Sequence, residues 1–376
     1  MDSSNKILIL NAGSSSFKAA LYRVDGEVTK LVDRTQFDQQ TTKNFNFNDL
    51  VDWLVGLDSA KDITAIGHRL VHGGTKYSDS VRINGAVVAE LRQLVELDPE
   101  HTPAAIQLIG ACAHTFHGTP QFASFDTAFF ANLPKVAQLL PIPRQYQATG
   151  LRRYGFHGLS YTYLQSKFRD VAGAEAANGR VIYAHLGSGA SLAATLNSQP
   201  IDTTMSFTPA SGLVMSSRSG DLDPGVIGYL SRQFDMDINA YLEMTNKASG
   251  LLGVSGISSD MKALLERETD NPDAAEAVEL FCLRSAQAIS GLAATIGGLD
   301  SLIFSGGIGE QSSIIRRRIC DKLQFLGIDI DEQRNKSHAE LISSDDSRIG
   351  VHVFATDEAA VIVKDVVNRL KEEVRA

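Results

Sequence analysis

An α/β fold built from two related domains is what the sequence predicts, and three observations support it. The chain has 376 residues, more than a single hydrophobic core usually serves. Strand-like apolar runs alternate with segments of helical periodicity. LNAGSSSFKAAL at 10–21 and AHLGSGASLAAT at 184–195 share one design: an apolar strand, a small-residue turn and a second strand. A duplicated core explains this similarity, and chance likeness of two Gly/Ser turns is the alternative.

The strands can be assigned in chain order. KILIL and FKAALYRV are predicted strands on either side of the first turn, and Asp25-Gly26 ends the second of them. ASFDTAFF predicts a strand that ends at Asp126. VIYAHLGSGASLAATL predicts strand, turn and strand again, and LDSLIFSGGIGEQSSIIRRRI predicts a buried strand, a glycine turn and a helix.

The two domains are expected to meet near the middle of the chain. The first is predicted to cover 1–145 and to be completed by a C-terminal helix at 361–376. The second is predicted to cover 146–360. Each then contains one of the two hairpins, whose turns would face a common cleft.

Composition and charge exclude several classes of protein. The formal net charge is −9 and no basic stripe stands out, which argues against a nucleic-acid surface. The RRR run at 316–318 lies in a predicted helix and is interpreted as a solvated face. No apolar run reaches the roughly 18 residues of a membrane helix, and MDSSNK does not read as a secretory signal. Cys112, Cys282 and Cys320 lie far apart, as expected of reduced, mostly buried thiols in a cytoplasmic protein.

The two turns are suited to holding an anion. Glycine and serine allow backbone N–H groups and hydroxyls to approach phosphate oxygens closely. GSSSFK lacks the spacing of a Walker P-loop, and GGIGEQ lacks the last glycine of a dinucleotide fingerprint. A plain polar hairpin turn is the alternative for either turn. Phosphate held between two hairpin turns is instead typical of the actin-like ATPase architecture.

Nine motifs occur in the order seen in acetate kinases, and the chain resembles that family over nearly its whole length. Each motif is weak to moderate by itself, but the series is specific. The resemblance implies a two-domain actin-like ATPase fold with a duplicated core and an interdomain cleft. It also implies reversible, Mg²⁺-dependent phosphoryl transfer between ATP and acetate. The motifs are NAGSSSFK, GHRLVHGG, FDTAFF, YGFHGLSY, AHLGSGASL, GLVMSSRSGDLDPG, SGLLGVSGISSDM, FSGGIGE and ATDEAAVI.

The resemblance nominates Arg69, Arg218, Asp126 and His157 as catalytic residues. Acetate is already ionised at neutral pH, so it needs no general base, and Asp126 is not expected to act as one. Phosphoryl transfer onto such an acceptor depends on positioning and on cations that stabilise the equatorial oxygens. Paired guanidinium groups can supply that charge. A structural salt bridge or an exposed loop is the alternative for each arginine, and a structural histidine for His157.

The remaining site residues also follow from the resemblance. Asn11, Asp126 and Glu358 would organise Mg²⁺, with Mn²⁺ possible, although a helix cap and an exposed first-turn glutamate are the alternatives for the two carboxylates. Arg69 and a small apolar pocket would bind the acyl group, but the pocket residues could equally be core. The pocket residues are Val71, Phe156 and Pro209, and the nucleotide- and phosphate-binding residues are Asn11, Ser14, Ser16, Lys18, His185, Gly187, Ser188, Gly306, Gly307 and Gly309. His101 in PEHTP matches a family position with less functional weight.

Several positions depart from the family pattern. Ser188 and Gln311 replace asparagines on the nucleotide side, so a donor other than ATP, such as pyrophosphate or another nucleotide, stays open. Phe130 stands where a histidine is common, and Glu100 where a leucine is common. A propionate or butyrate kinase is a further alternative, because one methylene is worth only about 1–3 kcal/mol in an apolar pocket. A non-enzymatic, actin-like ATP-binding protein without acyl chemistry is a more remote alternative. Relatives suggest a homodimer.

Overall fold

The computed structural model describes residues 5–12, 16–26, 28–38, 47–57, 62–147 and 149–375. The chain divides into two compact units. The first unit comprises Met1–Ala131, Phe156–Tyr163 and Asp357–Ala376, and the second comprises Asn132–Gly155 and Leu164–Thr356. The predicted limits, 145/146 and 360/361, fall inside these segments rather than between them.

The first unit contains a six-stranded mixed sheet in the order β3-β2-β1-β4-β6-β5. Strands β1, β2 and β3 form an antiparallel meander, while β4 and β6 run parallel to β1. Strand β5 is a short antiparallel addition at the β6 edge. The strands are β1 Asn5–Ala12, β2 Ser16–Asp25, β3 Val28–Asp38, β4 Ile63–Leu70, β5 Val81–Arg82 and β6 Gln121–Phe125.

The second unit repeats this topology in a five-stranded sheet, in the order β11-β10-β7-β8-β9. Again the first three strands form an antiparallel meander, and the next two run parallel to the first. Since strand order and direction match apart from β5, the predicted duplication of the core is confirmed. The strands are β7 Val181–Leu186, β8 Ala190–Leu196, β9 Gln199–Thr203, β10 Ser301–Ser305 and β11 Gly350–Val353.

Helices connect the parallel strands and cover the sheets. In the first unit, Ile362, Val363 and Val366 on the last helix, α15, are fully buried in one core cluster with residues of β1 and β4. The helices are α1 Phe47–Gly56, α2 Gly85–Gln93, α3 Thr102–Thr115, α4 Lys135–Gln138, α5 Arg144–Gln147, α6 Gly158–Ala177, α7 Gly225–Phe234, α8 Ile238–Lys247, α9 Gly250–Ser255, α10 Met261–Arg267, α11 Pro272–Thr295, α12 Gly306–Gln311, α13 Ser313–Asp321, α14 Glu332–Lys336 and α15 Glu358–Arg375.

Two local predictions need correction. The glycine turn predicted after β10 is itself a short helix, α12, which begins directly at Gly306 in a left-handed conformation (φ +74°). The predicted solvated face at 316–318 is wrong for Arg316, which is completely buried. Its guanidinium is accommodated because it donates to the carbonyls of Gly309 and Glu310 and to both oxygens of Asn335 on α14.

Two composition-based expectations can be compared with the structure. Cys112, Cys282 and Cys320 are buried and unpaired, as predicted. Burial raises the pKa of each thiol to about 12, so all three are protonated near neutral pH. Among the helices that the structure describes, none has both the length and the apolar character to cross a membrane.

Candidate active site

Four of the predicted site residues form one hydrogen-bonded cluster in the first unit. Asn11 lies near the end of β1, Arg69 near the end of β4, Asp126 one residue after β6, and Glu358 at the start of α15. Strands β1, β4 and β6 are parallel neighbours, so their carboxyl ends meet at one edge of the sheet. Sheet topology therefore brings these side chains together although they lie far apart in the sequence.

Arg69 is at the centre of this cluster. Its Nε and Nη2 donate to the two carboxylate oxygens of Asp126 at 2.9 and 2.6 Å, in a bidentate pair. Its Nη1 donates to Asn11 Oδ1 at 3.0 Å, and Asn11 Nδ2 donates to Glu358 Oε2 at 2.7 Å. The Glu358 carboxylate also lies 3.6 Å from Arg69 Nε. All three nitrogens of the guanidinium thus have partners, which hold the group in a fixed orientation.

The charged groups of this cluster are largely shielded from solvent, and the negative groups outnumber the positive one. Asp126 is 1% exposed, and this burial raises its pKa, with Glu358 adding to the rise and Arg69 opposing it. Burial would lower the pKa of Arg69, but Asp126 and Glu358 outweigh it and keep the pKa above its ordinary value. Two carboxylates against one guanidinium leave a local excess of negative charge.

The excess charge and the donor atoms fit a hard divalent cation. Asp126, Glu358 and Asn11 offer carboxylate and amide oxygens, the ligands that Mg²⁺ prefers. Over the described ranges, no group of three or more His, Cys, Asp and Glu side chains is placed to hold a metal ion. Mg²⁺ does not need such a cage, since it usually binds through one or two carboxylates and completes its shell with water and phosphate oxygens.

Val71, Phe156 and His157 also belong to the first unit. Val71 follows β4 and is 9% exposed, and Phe156 is fully buried with its ring edge-on to His72, at 5.7 Å between centroids. His157 has a left-handed backbone (φ +60°), which is uncommon for residues other than glycine and concentrates at functional sites. The next residue, Gly158, donates its N–H to the Asp126 carbonyl at 2.9 Å. This bond ties the His157 segment to the end of β6, next to the Arg69 cluster.

The first hairpin turn is only partly described. Ser14 lies outside the described residues, and of Ser16 only the backbone is described, at the start of β2. Lys18 is exposed and lies opposite Asn11 in the β1–β2 register. Paired residues on antiparallel strands project from the same face of a sheet. The register therefore places Lys18 beside the Arg69 cluster.

In the second unit, the corresponding hairpin brings two predicted glycine segments together. A Cβ at Gly187 would lie 3.7 Å from Gly307 N and 3.9 Å from His185 Nε2. Gly306 donates its N–H to Glu310 Oε1 at 2.9 Å, so this N–H already has an anionic partner inside the chain. The carbonyl of Gly309 accepts from buried Arg316 at 2.8 Å.

Arg218 lies in the loop between β9 and α7 of the second unit, which also carries the predicted pocket residue Pro209. Its Nη1 donates to the Pro209 carbonyl at 3.0 Å and lies 3.8 Å from Met215 Sδ. The N–H of Ser216 in the same loop donates to the carbonyl of Ser188 at 3.1 Å. One loop thus links the hairpin tip, the guanidinium and the predicted pocket proline.

Sequence reasoning missed one buried carboxylate near Arg69. Asp98 accepts from Thr102 Oγ1 at 3.0 Å and lies 2.7 Å from His101 Nδ1. Burial would raise the pKa of Asp98, but the bonds from His101 and Thr102 outweigh it and lower the pKa. The spacing was a signal, since Asp98 lies three and four residues before His101 and Thr102, and side chains at these spacings meet across one helical turn. By contrast, Glu100 is exposed, and Phe130 is buried against Phe129 and Tyr161.

Comparisons with known proteins agree over nearly the whole chain. Residues 35–364 match the model of the acetokinase family. An acetate kinase of Rhodopseudomonas palustris is 42% identical over 96% of this chain and 98% of its own length, and one of Clostridium novyi is 37% identical over 96% and 97%. A propionate kinase structure from Francisella tularensis superimposes with a TM-score of 0.87 (34% identity, 96% and 98% covered). An acetate kinase structure from Porphyromonas gingivalis superimposes with a TM-score of 0.85, at 33% identity, over 98% of this chain and 100% of its own. These similarities confirm the predicted actin-like fold.

Proposed function

The chain belongs to the acetokinase family, and from this premise we propose that it is an acetate kinase. It is a phosphotransferase whose acceptor is a carboxyl group, and it passes a phosphoryl group reversibly between ATP and acetate, giving acetyl phosphate and ADP. The observation that carries the proposal is the Arg69 cluster. A guanidinium that is 12% exposed and held by three side chains is a preorganised cation for phosphoryl oxygens.

The role of Asp126 follows from its contacts. Both of its carboxylate oxygens accept hydrogen bonds from Arg69, which fixes the carboxylate and leaves further lone pairs for a metal ion. An acetate oxygen is already anionic and attacks phosphorus directly in an in-line displacement. Asp126 therefore orients cations and does not remove a proton, unlike the aspartate that a sugar kinase needs for a hydroxyl acceptor.

Asn11, Asp126 and Glu358 would hold Mg²⁺, or Mn²⁺ in its place. The bound metal would neutralise charge on the phosphate oxygens of the nucleotide. Arg69 and Arg218 supply the permanent positive charge that stabilises the phosphoryl group during transfer. His157 contacts the same group. Arg69 orients the acetate carboxylate, and Val71, Phe156 and Pro209 line the methyl pocket.

Phosphate and nucleotide binding is assigned to the two hairpin turns and the β10–α12 segment. In the first unit the residues are Asn11, Ser14, Ser16 and Lys18. The second unit contributes His185, Gly187, Ser188, Gly306, Gly307 and Gly309. Gly307 and Gly309 rather than Gly306 would approach phosphate through their N–H groups, because the Gly306 N–H is bonded to Glu310.

A donor and acceptor panel tests this function. Purified protein is supplied with Mg²⁺ and ATP, GTP or pyrophosphate, and with acetate, propionate or butyrate, and acyl phosphate is trapped as its hydroxamate. We expect the highest kcat/KM for ATP with acetate. Absence of acyl phosphate with every pair contradicts the proposal, and preference for propionate or pyrophosphate redefines the substrate within the same chemistry. Omission of the metal should abolish turnover, and Mn²⁺ should restore part of it.

The protein is also proposed to be a cytoplasmic homodimer, formed through α7 and α8. Tyr229, Phe234, Ile238 and Leu242 on these helices are between 48% and 69% exposed, and no residue of α7 is buried. Such clustered apolar exposure is typical of a protein interface. Light scattering should give twice the chain mass for the native protein. The double variant Phe234→Asp/Leu242→Asp should shift it to one chain mass, whereas Val136→Asp, at an exposed site outside these helices, should not.

A further inference from the structure

The loop that carries Arg218 is fastened to the start of helix α9. The first N–H groups of any helix lack partners within the helix. In α9 they donate to the carbonyls of the Arg218 loop: Leu251 to Met215 at 2.8 Å and Leu252 to Ser216 at 2.9 Å. Ser249, which precedes α9, donates to the Ser217 carbonyl at 2.9 Å. Three successive loop carbonyls are therefore held by one short segment.

The end of α8 also holds this loop, but here the loop donates the hydrogen bonds and the helix accepts them. Ser219 donates its N–H to the Thr245 carbonyl at 2.9 Å, and the Ser217 hydroxyl donates to the Asn246 carbonyl at 3.2 Å. The last carbonyls of α8 thus accept hydrogen bonds from the loop. The N–H groups at the start of α9 donate hydrogen bonds to carbonyls of the same loop. Loop residues on both sides of Arg218 are fixed by the turn between these helices.

Gly250 lies where this turn is closest to the loop. It has a left-handed backbone (φ +61°), and a Cβ built on it would lie 2.2 Å from the Met215 carbonyl oxygen and 2.6 Å from that of Arg218. Real Cβ atoms do not approach oxygen so closely, and both obstacles are backbone. Only glycine leaves room for the Arg218 peptide at its observed position.

From these contacts we infer that the α8–α9 turn, residues 245–252, is a positioning element for Arg218, and that Gly250 is its critical residue. The inference rests on the proposed function, in which Arg218 stabilises the transferring phosphoryl group. The Arg218 guanidinium is fixed at one end by the Pro209 carbonyl, and the turn fixes its backbone at the other. A displacement of about 1 Å at a catalytic group costs on the order of 10²-fold in rate.

Gly250→Ala tests the inference, with Gly256→Ala as its matched control. Gly256 ends the same helix with a similar left-handed backbone (φ +66°), but a Cβ there would meet nothing within 4 Å. Both variants therefore carry the same backbone strain, and only the first pushes on the loop. We expect Gly250→Ala to lower kcat by on the order of 10²-fold with little change in KM for ATP, and Gly256→Ala to stay within about twofold of the native kcat. Equal loss of activity in the two variants overturns the inference.

A double-mutant cycle separates positioning from a general structural role. If Gly250 acts through Arg218, Gly250→Ala should have almost no further effect on kcat/KM in the Arg218→Ala background. Multiplicative losses overturn the inference while leaving the proposed function intact. Hydrogen exchange supplies a readout without turnover: the amides of Ser249, Leu251 and Leu252 should lose protection in Gly250→Ala but not in Gly256→Ala. Unchanged protection contradicts the inference even if the protein has no acetate-dependent activity.

Discussion

Arg69 shows how much of the site depends on the shape of one side chain. Its guanidinium reaches Asp126 through two parallel bonds, Asn11 through a third, and the Glu358 carboxylate at 3.6 Å. A lysine ammonium carries the same charge but cannot reproduce a planar fork of donors. The residue type, and not only its charge, is therefore required at this position.

Arg69→Lys should lower kcat/KM by on the order of 10²–10³, the range seen when one charge-stabilising donor is removed from an active site. Steady-state kinetics with acetate and ATP measure the loss, and thermal melting establishes that the variant is folded. Arg82→Lys is the matched control, since Arg82 pairs with Glu373 at an exposed site. Native activity in Arg69→Lys would contradict the role assigned to the guanidinium.

Arg218 and Lys18 are predicted to differ in importance. Arg218→Ala should reduce kcat by on the order of 10³–10⁵, as for arginines that stabilise phosphoryl transition states, with the fold intact. Lys18→Ala should reduce it much less, because Lys18 is exposed and solvent and salt screen an exposed charge. Single-turnover rates for the two variants check this order, and a reversed order would refute it.

At the scale of elements, the short helix α12, which carries predicted nucleotide-binding residues, depends on other elements for its position. Helix α12 has six residues, too few to be stable alone. Arg316 on α13 donates to the carbonyls of Gly309 and Glu310 in α12 and to Asn335 in α14. Burial lowers the pKa of Arg316 to about 10, so it stays charged near neutral pH. One buried cation thus connects three helices around the β10 end.

Arg316→Met should destabilise the protein by about 3–5 kcal/mol, because it removes the donors of several buried acceptors together. Arg317→Met on the same helix should cost less than about 1 kcal/mol, since Arg317 is partly exposed and pairs with Asp321. Urea unfolding of both variants measures the difference. Similar free energies of unfolding would show that the buried network is dispensable. KM for ATP should rise only in Arg316→Met if α12 contributes to the nucleotide site.

At the scale of the whole molecule, the duplicated sheet explains why two similar hairpins occur half a chain apart. In each unit the meander precedes two parallel strands, and several predicted site residues, among them Arg69, Asp126 and Gly306, lie at or just after the carboxyl ends of parallel strands. Among the predicted site residues, the carboxylates and Arg69 lie in the first unit, and the glycine turns and Arg218 lie in the second. The two units therefore share a sheet topology but carry different predicted chemical groups.

The stability of the fold should decline in mild acid. His68 is buried against Gln121 with its pKa lowered to about 4, and burial also lowers the pKa of His352. Below the ordinary histidine pKa of about 6.5 the unfolded chain binds protons that the folded chain does not, so stability falls with pH. Asp365 has the opposite sign, because burial raises its pKa to about 6 and the folded state binds that proton first.

The free energy of unfolding, measured by urea titration from pH 7.5 to pH 4.5, should therefore fall as pH falls. His68 alone should lower the free energy of unfolding by on the order of 3 kcal/mol between neutral pH and pH 4. His352→Phe, in a pocket formed with Phe168 and Phe354, should reduce the slope. His117→Phe, at an exposed site, should leave the slope unchanged. Equal slopes in the native protein and in His352→Phe would contradict the assignment of a neutral buried imidazole to His352.

The sequence alone determined the fold class and the duplication, and it nominated the candidate site residues. Strand–turn–strand patterns and glycine turns are local, and the motif series carries Arg69, Asp126 and Glu358 directly. Tertiary structure alone decided which of these residues touch: Arg69 and Asp126 are 57 positions apart and meet only because β4 and β6 are neighbours. It also decided the burial of Arg316, which depends on α14 packing opposite, and the constraint at Gly250, which depends on the distant Met215 and Arg218. Periodicity within a segment cannot specify what packs against it.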